Sequence, residues 1–397
     1  MEWIKSNLWE INKSFSTKAL GVLLSLTNIF TYLYWQYWFT PVFDSASKTA
    51  WPIFYPIAEL MTLPVGFLKV LMALFLFFST LAALGMFSAR LLAPAWASLA
   101  ISFVIKIVIY TQDYNLISNT QNLLILLHLV FLFFPQKKWT VHSLIILFLV
   151  NLGLLKLNSN WLSGDILKWH LPSPESTRHF LATMSFLVEM IAPFGLLFRN
   201  WQVKVISLLL LFADSIFIGA FYNQFDAVII STLLGSFVFQ QIEAMRRYDD
   251  VIYQTYIRPE PTFFWLPIFI IFYLALQLGP RWLYPNAHQR YEGLLFSTVN
   301  LKSHQVCEVH SFESNKKFLT KLSLDLNTND CDFYQLYHKL KQQCQRISSS
   351  SKLEVYVKAN DLYNNLTKQV KTKDFCHSNI KFSALGNNQW ITTQKIK

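Results

Sequence analysis

The residues able to do chemistry are few, and they stand where charge is costly. Lys156 closes an apolar run in Gly153-Leu-Leu-Lys-Leu-Asn-Ser-Asn-Trp161-Leu-Ser-Gly164. An amine becomes a base once it has shed its proton, and partial withdrawal from water favours that state. The plainer role for such a lysine is to stretch its ammonium to the membrane interface. Glu189, in Phe186-Leu-Val-Glu-Met190, and Asp214, in Leu211-Phe-Ala-Asp-Ser215, lie in neighbouring apolar runs. Ionisable groups inside a hydrocarbon layer are expensive, so they pair with one another or take part in function. These two carboxylates are placed to meet each other or to pair with Lys106, which lies inside an earlier run. Structural pairing is as good a reading of them as catalysis. His128, on an apolar stretch, reads as a hydrogen-bonded core residue, while His170 and His179 fall in a polar loop. The membrane part shows no cluster with metal-ligand spacing and no glycine-rich phosphate loop, so no metal is expected there.

Those residues must be held by a membrane scaffold. Of 397 residues, 53% are hydrophobic and only 14% charged, too few charges for an ordinary soluble protein of this size. Apolar runs near the length of a spanning helix occupy roughly 17–38, 66–88, 92–110, 121–135, 141–157, 179–198, 203–221, 227–242 and 262–280. The expected fold is an all-α polytopic bundle of about nine transmembrane helices, followed by a small α+β extracytoplasmic C-terminal domain. Its parts are an interfacial amphipathic helix over 1–15, a membrane domain over 16–280 and a soluble domain over 281–397.

Charge distribution sets the orientation. With the N-terminus inside, the cytoplasmic side holds Lys5, Lys13, Lys18, Arg90, Lys137, Lys138, Arg199, Lys204, Arg246, Arg247 and Arg258. The opposite loops before the tail hold Lys48, Lys168 and Arg178. This bias places the chain in a cell membrane with an odd number of spans, and the tail on the periplasmic or lumenal side. No cleavable signal peptide is evident. At the start, Ile4, Leu8, Ile11 and Phe15 recur at helical spacing beside Trp3, Trp9 and lysines, which suits a helix lying on the inner surface.

The tail carries 17 basic and 9 acidic residues, +8 of the chain's +11. Such a surface attracts anionic headgroups or an acidic, secreted peptide; nucleic acid is not expected outside the cytoplasm. All four cysteines, Cys307, Cys331, Cys344 and Cys376, lie in it, where an oxidising compartment permits pairing in any of three ways. A rarer alternative is zinc held by Cys307, His310, Cys376 and His377. Leu353–Lys358 alternates as a strand does, Val306–His310 is a weaker strand, and Phe333–Arg346 has the spacing of an amphipathic helix, with Ser348–Ser351 as a loop.

The segment around Lys156 resembles the signature of the vitamin K-dependent gamma-carboxylase family, within the wider horizontally transferred transmembrane (HTTM) group. That signature runs Gly, two variable positions, Lys, Leu, Asp, variable, Asp, Trp, two variable positions, Gly. Leu283-Tyr-Pro285, followed by Glu292-Gly-Leu-Leu-Phe-Ser297, is similar to the family's tyrosine-proline step and its Glu-Gly-x-x-Phe-Ser motif. Weaker similarity runs through Leu81–Met86 with Arg90, Asn119 with Pro135, Phe217–Phe221 and Val355–Asn360.

The resemblance implies a lyase-like membrane enzyme that oxidises a reduced quinone with O2 and uses the base so formed to remove a glutamate γ proton, to which CO2 then adds. It implies that Lys156 deprotonates the hydroquinone, that Asn119 holds a quinone oxygen and that Trp161 walls the pocket, with Gly164 and Glu292 beside it. Three positions depart from the family. Its Asn-His pair is Asn119-Thr120 here, its aspartates beside the tryptophan are Asn158 and Asn160, and its His and Asn in span seven give way to apolar residues around Leu209–Phe212. Threonine donates a hydrogen bond but cannot hold a proton as imidazole does, which leaves carboxylation without that group. Two other functions suit the same scaffold. One is a non-catalytic maturation or immunity partner of a secreted peptide, known for some members of the wider group; the other is a transporter using the intramembrane charges.

Overall fold

A computed structural model describes residues 2–38, 63–113, 116, 118–157, 159–164, 167, 171–198, 200–221, 224–248, 267, 270–271, 273–275, 305–315, 318–322, 333–346, 352–361, 366–378, 380 and 391–395. Helices dominate. They are α1 (Glu2–Lys13), α2 (Phe15–Trp38), α3 (Val65–Gly85), α4 (Leu92–Gln112), α5 (Asn119–Phe133), α6 (Lys137–Lys156), α7 (Ser159–Leu162), α8 (Glu175–Gly195), α9 (Trp201–Phe221) and α10 (Gln224–Tyr248). Among the described residues, five helices (α3, α4, α6, α9 and α10) are long and apolar enough to cross a membrane. The apolar α5 is shorter, with 15 residues.

Each of the first eight apolar runs in the sequence falls on one of the helices α2 to α6 and α8 to α10, with ends displaced by a few residues. The largest shift is at α10, which runs past the apolar stretch to Tyr248. The ninth run lies mostly outside the described residues, but Tyr273 within it is buried in the main core. That core joins Leu20 and Leu24 of α2, Leu99 and Phe103 of α4, Leu127 and Phe131 of α5, Leu144 and Phe148 of α6, and Ile229 and Leu233 of α10.

A helix does form at the N-terminus, α1, with Trp3, Ile4 and Trp9 exposed and Ile11 buried. It is fastened to the bundle. Trp3 stacks on Phe133 at 5.8 Å, Glu10 accepts the backbone N–H of Lys137 at 2.8 Å, and the Lys137 ammonium donates to Asn7 Oδ1. At the start of α2, the carboxylate of Glu243 from α10 accepts from the hydroxyls of Ser14 and Ser16 and from the Ser16 N–H. A carboxylate there satisfies donors that the first helical turn leaves open and faces the positive end of the helix dipole.

The C-terminal part is an α+β unit. Strands β1 (Gln305–Asn315), β2 (Phe318–Leu322), β3 (Lys352–Asp361), β4 (Leu366–Thr372) and β5 (Thr392–Lys395) form an antiparallel sheet in the order β2-β1-β3-β4-β5, and α11 spans Phe333–Arg346. Leu353, Val355 and Val357 of β3 and Val370 of β4 are buried with Leu336, Tyr337 and Leu340 of α11, while Lys352 is exposed. The alternation read at Leu353–Lys358 and the spacing at Phe333–Arg346 therefore mark the two faces of one core. Strands β2 and β4 escaped the sequence because lysines and threonines interrupt their apolar positions, and β5 because it has no apolar residue.

Cys344 at the end of α11 is bonded to Cys376, with 5.4 Å between their Cα atoms. The zinc arrangement that required Cys376 is thereby overturned, since a bonded sulfur has no thiolate to offer a metal. The Cys344–Cys376 bridge closes a 32-residue separation, for which chain entropy gives a stabilisation of about 3.7 kcal/mol. Replacing both cysteines by serine should lower the stability of this unit by up to that amount, measured as a urea midpoint shift of the full chain in detergent.

Candidate functional site

The segment carrying Lys156 folds back against α8. Arg178, Ala182, Ser185 and Glu189 recur at helical spacing on α8 and so share one face, and that face meets the end of α6. Gly153 permits the approach. A Cβ there would lie 3.0 Å from the Met190 side chain and 3.2 Å from the Glu189 backbone, tighter than ordinary contact. One turn later on the same side, Lys156 reaches across.

Its ammonium lies 2.8 Å from Glu189 Oε2 and donates to Ser185 Oγ at 2.7 Å. Ser185 in turn donates to Asp214 Oδ1 of α9 at 2.5 Å. Exposure decides how this lysine is to be read: Lys156 is 3% exposed, Glu189 1% and Asp214 8%. Stretching to an interface is thus corrected to burial in an ion pair. The pairing of a carboxylate with Lys106 is corrected too, because Lys106 points to Asn28 Oδ1 at 3.4 Å.

Trp161 completes the enclosure. Its ring centroid is 4.7 Å from the Lys156 Nζ, a cation–π distance, and its indole N–H donates to the Ala182 carbonyl at 3.0 Å. The ring is buried with Leu167 and Ala182, beside Phe217, one turn from Asp214 on α9. Gly164 takes φ +75°, and a Cβ there would come within 2.6 Å of the Arg178 backbone. Both the left-handed conformation and the close approach call for glycine. His179 donates through Nδ1 to the carbonyl of Leu162, fixing α7 over the first turns of α8.

Thr120 turns to another partner, and several other expected site residues lie outside the described residues. Asn119 and Thr120 open α5, and Thr120 donates to Asp226 Oδ1 of α10 at 2.5 Å instead of turning to Lys156. Glu292, with its motif and the Leu283-Tyr-Pro285 step, lies outside the described residues, as do Asn158 and His170. His128 is fully buried, donates through Nδ1 to the Leu124 carbonyl at 2.7 Å and stacks parallel to Phe103, which agrees with its reading as a core residue. Ser185 was missed. Serine is common in membrane helices, and only its place four residues before Glu189 on one face gave a signal.

Compared with protein-family models, curated proteins and solved structures, the chain matches none.

One amine, one hydroxyl and two carboxyls are thus linked in a single buried cluster. Removing one member of a buried ion pair strands the other charge, at a cost of about 3–5 kcal/mol. Lys156→Met should therefore unfold more readily than wild type, and adding Glu189→Gln should recover part of the loss in a double-mutant cycle of detergent melting curves. Gly164→Ala should lower the midpoint on its own, through the strained φ.

Proposed function

We propose that the chain is a multi-pass membrane enzyme of the gamma-carboxylase-like type, in which Lys156 acts as a base on the hydroxyl of a reduced quinone drawn from the bilayer. The observation that carries this reading is the burial of the Lys156 amine between a carboxyl, a hydroxyl and an aromatic ring, within the segment that bears the family resemblance. The donor set suits such a substrate. An ammonium has three N–H groups, and Ser185 and Glu189 engage two of them, so the third can hold a ring oxygen. The Trp161 face offers a flat apolar wall to a flat ring.

A reduced quinone, when bound, supplies a hydroxyl proton and two electrons that can pass to O2. The chain's own part is to take that proton. In a low-dielectric site an ammonium and a carboxylate in contact interconvert with a neutral amine and a carboxylic acid by moving one proton. Lys156 can hand its proton to Glu189, accept the substrate proton and return to its paired form without drawing on bulk water. Trp161 and the α7 segment keep water from the amine, which strengthens each of these interactions. CO2 enters this reading as the electrophile in a second half-reaction.

The same reading sets nine spans, the N-terminus inside and the C-terminal unit outside, on the strength of the lysine and arginine bias. The basic tail then faces a periplasm or lumen, where a secreted acidic peptide could meet it.

Two measurements test this. Quinol oxidation under O2 by the full chain in lipid nanodiscs should fall about 100-fold or more in Lys156→Ala, the usual contribution of a general base; equal rates in both would remove the proposal. Alkaline phosphatase fused after Lys397 should be active and a fusion after Arg247 inactive, whereas the reverse pattern would invert the orientation.

A further inference from the structure

Arg178 stands against the charge pattern of the chain. Under the orientation just proposed, the cations before the tail gather on the cytoplasmic side, and the opposite side holds Lys48, Lys168 and Arg178. Of these three, Arg178 is the one within the described residues. It lies partly buried in the first turn of α8, and Gly164 sits directly against its backbone and Cβ, so the root of the side chain is fixed. A guanidinium carries a full charge and five N–H donors. One of them is used, since Nη1 donates to the carbonyl of Ser173 just ahead of the helix. The ion pairs among the described residues involve other groups, even though the exposed Glu175 is only three positions earlier on α8.

Two polar atoms at this spot are shut away from solvent with no hydrogen-bond partner among the described residues, Arg178 Nε and Ser173 Oγ. Both can donate, and the bond from Nη1 to Ser173 brings the two residues together. Nε–H and the neighbouring Nη2–H form the side-on edge of a guanidinium, which takes a carboxylate through two parallel hydrogen bonds. Because Nη1 is the nitrogen engaged by Ser173, that edge is the one open to a ligand.

We infer that Arg178 and Ser173 form a binding site for a carboxylate ligand at the start of α8, the Nε–Nη2 edge holding both oxygens and the Ser173 hydroxyl donating to one of them. A single guanidinium balances a single negative charge, which suits a monoanion; a phosphate dianion would bring a second charge that no other lysine or arginine at this spot offsets among the described residues. Arg178 shares its face of α8 with Ala182, Ser185 and Glu189 and precedes Ser185 by seven residues, about 10 Å along the axis. Trp161 bridges the interval, its N–H on the Ala182 carbonyl and its ring beside the Lys156 amine. The carboxylate site is therefore separate from the amine centre and lies on the same face. A ligand held by both residues ties the chain ahead of α8 to the helix against which Gly164 packs, and so steadies the α7 segment that encloses Lys156. The assignment does not depend on what Lys156 does.

The test is binding of butyrate labelled with 13C at the carboxyl, followed by broadening of its carbon resonance by the full chain in maltoside micelles. Wild type should give saturable broadening. Arg178→Gln should bind about tenfold more weakly or worse, and Ser173→Ala about threefold more weakly. Arg178→Lys should fall between wild type and Arg178→Gln, because the charge stays while the fork is lost. Butyramide, the neutral isostere, should not compete, and inorganic phosphate should compete less well than unlabelled butyrate. In folded wild type, phenylglyoxal should modify Arg178, as located by peptide mass spectrometry, and butyrate but not butyramide should slow that modification, which reads the site without any substitution. Equal binding by wild type and Arg178→Gln, competition by butyramide as strong as by butyrate, tighter binding of phosphate, or no protection of Arg178 by butyrate would each overturn the assignment. No arm uses a quinol, so failure here and failure of the oxidation assay are separate results.

Discussion

The ion pair between Lys156 and Glu189 is the constraint around which this part of the molecule is arranged. An unpaired charge so far from water would cost several kcal/mol, a large share of the net stability a folded domain holds. The pair exists only if the last turn of α6 comes close to the middle of α8, and a bare glycine at 153 is what allows that. Once the helices are that close, the ammonium meets the hydroxyl of Ser185 and the face of Trp161 besides its counter-ion.

The motif around Lys156 thus separates into parts with distinct physical duties. Gly153 sets the helix approach, Lys156 carries the charge, Trp161 walls it and pins α7 to α8, and Gly164 turns the chain where no side chain fits. Geometry of this kind is expected of any centre that must hold a proton without access to water. Substrate oxidation and proton transport share that need, and the proposed enzymatic reading rests on the aromatic wall beside the amine together with the resemblance carried by the segment. The buried Lys106 of α4, by contrast, is set among Asn28 and Ser102, with no carboxylate joined to it among the described residues.

A second theme is the difference between the two ends of the chain. Glu243 accepts from Ser14 and Ser16 at the start of α2, and Glu10 of α1 accepts from Lys137 at the start of α6, so the N-terminal helix is fixed by specific bonds. The C-terminal unit instead relies on a single apolar layer between sheet and helix. A layer that small gains much from the Cys344–Cys376 bridge.

The sequence by itself determined the apolar runs, and with them eight helices, because length and composition are properties of a local stretch. It also determined α11 and β3, whose periodicities of 3.6 and 2 mark one buried face each, and it singled out Lys156, Trp161, Glu189 and Asp214 as charged or aromatic groups needing a reason. Only the tertiary structure decided the partners. Glu189 chose Lys156 over Lys106, Thr120 turned to Asp226, and Cys344 found Cys376, since each choice depends on which helix faces or loop ends come within a few ångström. Ser185 illustrates the boundary between the two. Its residue type says nothing, its spacing from Glu189 says only that they share a face, and its place between an amine and an acid exists only once α6, α8 and α9 are packed.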